Sequence, residues 1–168
     1  MRVSGVMFRL FPVLVLGACA PPATQQAAAP AAVDSAAVTA AVSDLWARWT
    51  VADSAGDVAA VADMVTDSVR LDVRGMPAIL GRAAWQAAAA GMYKMFKYDA
   101  LSISPEMTAA VTNELAYQIG SYSQGAMDAK KKHTKDYNRY AASIRKDADG
   151  KWRLAYWMSF ADSTVAIK

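Results

Sequence analysis

The stretch from Gly56 to Gly81, GDVAAVADMVTDSVRLDVRGMPAILG, constrains the fold more than any other part of the chain. A glycine takes the left-handed backbone that ends a helix at little cost, and an aspartate after it can cap the next helix. Gly56 and Asp57 therefore predict a helix stop and then a short helix carrying Val58, Val61 and Val65. From Ser68 to Val73 the pattern alternates, with Val69, Leu71 and Val73 on one side and Ser68, Arg70 and Asp72 on the other. That alternation marks a half-buried strand. Arg74-Gly75-Met76-Pro77 then reads as a tight turn, and Ala78 to Leu80 as a strand that pairs back briefly. Gly81 opens a further helix.

One long helix precedes this stretch, and paired strands follow it. Val38, Val42, Leu45, Trp49 and Ala52 recur at helical spacing, with Asp34 or Ser35 in place as an N-cap. After Gly81, a helix is expected to carry Trp85, Ala88, Ala89, Met92 and Phe96 as its apolar stripe. Strands are then predicted from Leu101 to Val111 with a bulge after Pro105, from Leu115 to Gln124, from about Asp136 to Arg145, and from Trp152 to Phe160. Asp147-Ala148-Asp149-Gly150 is a hairpin turn. Helices first and a largely antiparallel sheet after them give an α+β fold, with the N-terminal helices packed against the sheet.

In the last strand, strict alternation places Trp152, Leu154, Tyr156, Met158 and Phe160 on one face. Ala155 and Trp157 share the other face with Arg153 and Ser159. A strand apolar on both sides is covered on both sides. Helices cover one, and a second subunit is the expected cover for the other, so a homodimer is predicted.

The N-terminus carries Arg2 and Arg9, a short apolar run from Leu10 to Leu16, and small residues up to Cys19. This is the layout of a secretory signal over residues 1–18, and the run is much shorter than the roughly 20 residues a membrane span needs. Leu16-Gly17-Ala18-Cys19 resembles the lipobox of bacterial lipoproteins, in which the cysteine is acylated and becomes the first mature residue. Cys19 is the only cysteine of the chain, and lipidation accounts for it. Ala20 follows it where an aspartate would signal inner-membrane retention, so the resemblance favours the periplasmic side of an outer membrane in a Gram-negative host. Residues 19–32, rich in alanine and proline, read as a disordered tether to a domain spanning 33–168. Loss of Arg2 and Arg9 lowers the net charge of +3 to about +1, which gives no case for nucleic-acid binding.

The segments GDVAAVADMVTDSVRLDV, ILGRAAW and YAASIRKDADGKWRLAYW, in this order, resemble the SnoaL-like group of the nuclear-transport-factor-2-like superfamily. The shared marks are Gly56-Asp57, Asp67 before the first strand, and the hairpin Asp149-Gly150-Lys151-Trp152. The likeness runs from about Val38 to Ser159. It implies a curved sheet wrapped around helices as a cone with a pocket at the open end, and often dimerisation through the outer face of the sheet. Ketosteroid isomerases of the superfamily use a base on the first strand, five residues after the aspartate preceding it. By that resemblance Asp72 stands at the base position, Trp49 replaces an oxyanion-binding tyrosine, and Ala142 replaces the second oxyanion donor.

Trp49, Asp72, Tyr140 and Trp157 are thus the expected pocket residues, apolar with a few polar handles. Tyr140 shares an inward strand face with Asn138, Ala142 and Ile144. Arg70 lies beside Asp72 and is able to pair with it. The absent donor at Ala142 favours a lipid-anchored envelope domain that binds a small hydrophobic ligand or a partner protein. The alternative is a cofactor-independent isomerase, cyclase or hydratase with Asp72 as general base. His133 is the single histidine, so no histidine-based metal site or triad is expected, and no cofactor is implied. His133 lies with Lys130, Lys131, Lys132 and Lys135 in a segment expected to be a solvated hairpin tip. P-loop, GxGxxG and GxSxG motifs are missing from the sequence.

Overall fold

The computed structural model describes residues 32–167. The signal segment, Cys19 and the tether up to residue 31 lie outside the described residues.

The first helix, α1, spans Ser35–Ala55. The Asp34 carboxylate accepts the Ala37 N–H at 2.9 Å and so satisfies one of the donors a helix start leaves free. Gly56 ends the helix at φ 67°, where its N–H reaches the carbonyls of Ala52 and Asp53. Asp57 then caps α2, Val58–Asp63, by accepting the Ala60 N–H at 3.0 Å. Strand β1, Val65–Asp72, starts earlier than its alternation suggests, because Val65 already pairs with the far end of the chain at Leu154. β2 (Ile79–Leu80), α3 (Arg82–Met95) and β3 (Phe96–Tyr98) follow. Phe96 does not continue the helix stripe; its φ of −133° opens β3, which pairs with residues at the end of the fifth strand.

β4 (Ser102–Thr112), β5 (Leu115–Asp128), β6 (His133–Lys146) and β7 (Trp152–Ala166) complete the fold. β4 is bulged between Pro105 and Met107, as its sequence predicts. β5, β6 and β7 extend beyond their expected ends. The lysine segment contracts to a turn in which Asp128 accepts the N–H groups of Lys130 and Lys132.

Among the described residues seven strands form one sheet in the order β2-β1-β7-β6-β5-β3, with β4 also on β5. β1 runs parallel to β7 and every other pair is antiparallel. The helices pack on one face of this curled, half-barrel sheet. Between them Val42, Leu45, Val61, Val65, Ile144 and Leu154 are sealed from solvent.

β7 departs from strict alternation. Ser143 pairs with Tyr156 but Ile144 pairs with Leu154, so Ala155 is an extra residue on β7. Such a bulge shifts the phase of the side chains beyond it. Leu154 and Trp157 therefore both serve the interior, whereas Tyr156, Met158 and Phe160 turn to the outer face. That outer face also exposes Met107, Tyr117 and Ile119.

Candidate functional site

The inner face of the sheet and the helices enclose a cavity of about 150 Å³. Helical spacing places Trp46, Trp49 and Asp53 on one side of α1, and all three line the cavity. Trp85, Met92 and Tyr93 of α3 form a second wall. Tyr122, Gln124 and Trp157 come from the sheet, with Leu71 and Val73 at the end of β1. Four of the chain's five tryptophans thus border one small space.

Asp53 is the cavity's carboxylate and is only 9% exposed. The Tyr93 hydroxyl donates to its Oδ1 at 2.8 Å, and the Gln124 amide donates to its Oδ2. Both donors are neutral, and among the described residues no Lys, Arg or His forms an ion pair with Asp53. Burial raises its pKa above the usual 3.8, and the two hydrogen bonds oppose that shift only in part. Burial likewise pushes the Tyr93 phenol up, with its bond to Asp53 adding to the effect. Tyr98 and Tyr122 are also raised by burial. Asp53 sits in the last turn of α1, where the helix dipole also disfavours a negative charge.

A polar network holds the wall from behind. Buried Gln118 accepts from the Trp46 indole N–H at 2.7 Å and from the Tyr140 hydroxyl at 2.8 Å, and it donates to Thr108. Tyr140 stacks on Trp157 with ring centroids 4.6 Å apart and planes 8° from parallel. The chain from Gln118 through Tyr140 to Trp157 fixes one ring of the cavity.

The four expected pocket residues therefore part company. Trp49 and Trp157 line the cavity, and Tyr140 stands one layer behind it. Asp72 does not join them. Leu71 and Val73 point into the cavity, so the residue between them points out. On the outer face Arg70 grips Asp72 through two bonds of 2.8 and 3.0 Å, which holds its carboxyl below the usual range, with Tyr156 adding a weaker bond. Ala142 is buried on the inner face, as expected, and offers no donor.

Sequence reasoning passed over Asp53. The signal was present as a lone acid four residues beyond Trp49 and seven beyond Trp46 on an otherwise apolar helix stripe, a costly placement unless it is used. His133 lies away from the cavity and bonds Asp99 at 2.8 Å. Among the described residues no group of three or more His, Cys, Asp or Glu side chains gathers as a metal site.

No protein-family model matches the sequence, and no match to a curated protein was found. Solved structures are similar in fold. A ketosteroid isomerase-like protein from Erwinia carotovora atroseptica superposes with a TM-score of 0.66 at 18% identity, over 74% of this chain and 95% of that one. The hexachlorocyclohexane dehydrochlorinase LinA-type3 from Novosphingobium barchaimii gives 0.66 at 13%, over 79% and 91%. A candidate scytalone dehydratase from Novosphingobium aromaticivorans gives 0.68 at 13%, over 78% and 88%. At these identities the likeness is one of fold, and it bears out the cone-shaped α+β architecture.

Proposed function

We propose that this protein moves a proton on a small molecule held in the aromatic cavity, in an isomerisation or elimination, with Asp53 as the general base. The observation that carries this reading is a buried carboxylate, raised in pKa and held by Tyr93 and Gln124, in an otherwise apolar cavity. A base of that kind is better matched to abstracting a proton from carbon near neutral pH than an exposed carboxylate. The fold neighbours named as an isomerase-like protein, a dehydrochlorinase and a dehydratase share this class of chemistry in name.

In this mechanism each Asp53 oxygen spends one lone pair on Tyr93 or Gln124 and keeps another for the substrate C–H. The indole N–H of Trp49, which donates no hydrogen bond among the described residues, is the donor for charge developing on the substrate. A non-catalytic ligand-binding role would use the same cavity and differ only in whether Asp53 exchanges a proton.

The test is incubation of the full chain in D2O with a panel of cyclic ketones and of β-hydroxy and β-halo ring compounds, followed by NMR. Deuterium uptake or elimination that Asp53→Asn abolishes supports the base. Binding without any exchange or turnover leaves the non-catalytic role.

We further propose that the domain is held in the cell envelope by a lipid on Cys19, with the tether of residues 20–32 giving reach. Cys19→Ser should release the protein from the membrane fraction; retention there would count against the anchor. A second copy covers the outer face at Met107, Tyr117, Ile119 and Phe160. A monomer by light scattering at micromolar concentration overturns that dimer.

A further inference from the structure

The rings around Asp53 are set as walls. Trp46 meets Trp49 at 61° and Trp157 at 65°, Tyr122 meets Trp157 at 58°, and Trp85 stacks on Trp49 at 27°. The steep pairs turn the wall around the space, and the stacked pair extends one side of it. Trp46 and Trp85 spend their indole N–H groups on Gln118 and on the Val61 carbonyl. Their polar edges are thus engaged within the protein, and carbon surface is what remains for the cavity. Aromatic surface of this sort attracts a cation through the ring quadrupole, and tryptophan does so best.

Charge points the same way. Among the described residues no Lys, Arg or His lines the cavity, and the one carboxyl that does is bonded only by neutral donors. A buried carboxylate without a cation is costly, and a cationic ligand would supply the compensation that the chain does not. The size agrees, since a cavity of about 150 Å³ accepts a group of roughly benzene's bulk. A trimethylammonium head is of that order.

We propose that the cavity takes an organic cation, a quaternary or tertiary ammonium group on an otherwise small molecule, with the tryptophans as its cage and Asp53 as its counter-charge. The inference rests on the cavity's being the ligand site, and it names the class of that ligand. A cationic centre beside a carbon also eases loss of a proton from it, so the same charge serves both binding and the proposed proton transfer.

The experiment compares choline with its uncharged tert-butyl analogue, in which carbon replaces nitrogen, by tryptophan fluorescence and calorimetry on the full chain. Choline should bind about 10- to 30-fold more tightly than the analogue, and Asp53→Asn should erase most of that preference. Equal binding of the two in the parent protein overturns the cation and leaves the ligand site standing. Binding of neither overturns the cation and also counts against the cavity as the ligand site. A full preference for choline retained in Asp53→Asn, with its near-ultraviolet circular dichroism unchanged, overturns Asp53 as the counter-charge. The parent comparison needs no variant to fold.

Discussion

The Tyr93 hydroxyl donates to Asp53 Oδ1 at 2.8 Å, joining the last turn of α1 to the last turn of α3 inside the cavity. The bond orients the carboxylate without neutralising it. Because Tyr93 is itself raised in pKa, it stays a protonated donor at physiological pH.

Asp53 makes the protein's stability depend on pH in an unusual direction. Its folded-state pKa lies above 3.8, so from about pH 4 up to that raised value the folded state holds a proton the unfolded chain has released. Stability contributed by this group is therefore lost as pH rises through that window. Asp53→Asn should gain about 0.5–2 kcal/mol at pH 7, as substitutions that relieve a strained functional site do. The gain should vanish near pH 4. Urea midpoints of parent and variant at both pH values check it.

Asp72 and Asp53 are separated by which face of the sheet they occupy. Once a turnover assay exists, Asp53→Asn should lower kcat by about 10²- to 10⁴-fold, the worth of a general base. Asp72→Asn should leave kcat and ligand affinity unchanged, because its carboxylate sits with Arg70 outside the cavity. Paired kinetics of the two variants decide between the acids.

Arg153 ties the last hairpin to α2. Its guanidinium is 5% exposed and meets Asp63 at 3.2 Å, Asp147 at 3.1 Å and Asp149 at 2.7 Å. Arg153→Met leaves three acids facing one another. The loss should be about 2–3 kcal/mol, below the figure for a fully buried pair because the carboxylates are partly solvated. Asp63 and Asp149 are held below their usual pKa, so this contribution is present above about pH 4 and fades as pH falls. Denaturation of Arg153→Met should show a flatter acid limb than the parent.

Gln118 is 2% exposed and accepts from the Trp46 indole N–H and the Tyr140 hydroxyl. Gln118→Leu would strand the Trp46 indole N–H and the Tyr140 hydroxyl in the core. The expected cost is about 2–4 kcal/mol, one desolvated donor each. With Trp46 and Trp157 no longer held from behind, ligand affinity should fall as well, which fluorescence titration at low denaturant would show.

Much of the fold was legible because its signals are local. Asp34, Gly56 and Asp57 each act within four residues of themselves, so the ends of the first two helices could be read directly. The buried face of Val69 and Leu71 follows from period-two alternation alone. The short strand at Phe96–Tyr98 was not legible, since its existence depends on pairing with Met127 and its neighbours far along the chain. The phase shift at Ala155 had no local mark either; it arises from how β6 and β7 are matched across their length.

The site was legible only in part. Trp49 and Trp157 were found as aromatics on inward faces, but Asp72 was assigned by its distance from Asp67. Spacing along a strand fixes which side a residue shares with its neighbours, not which side carries the cavity. Asp53 stood on the helix stripe beside Trp46 and Trp49 and was hidden by its place next to a helix stop.

By itself, then, the sequence determined the elements, their caps and the α+β order, because capping and periodicity are written within a few residues. The curl of the sheet, the bulge at Ala155 and the meeting of Asp53 with Tyr93 and Gln124 were decided by tertiary structure. Those two partners are 40 and 71 residues away from Asp53 in the chain, and only packing of α1 and α3 into the curled sheet brings a buried acid and its donors together.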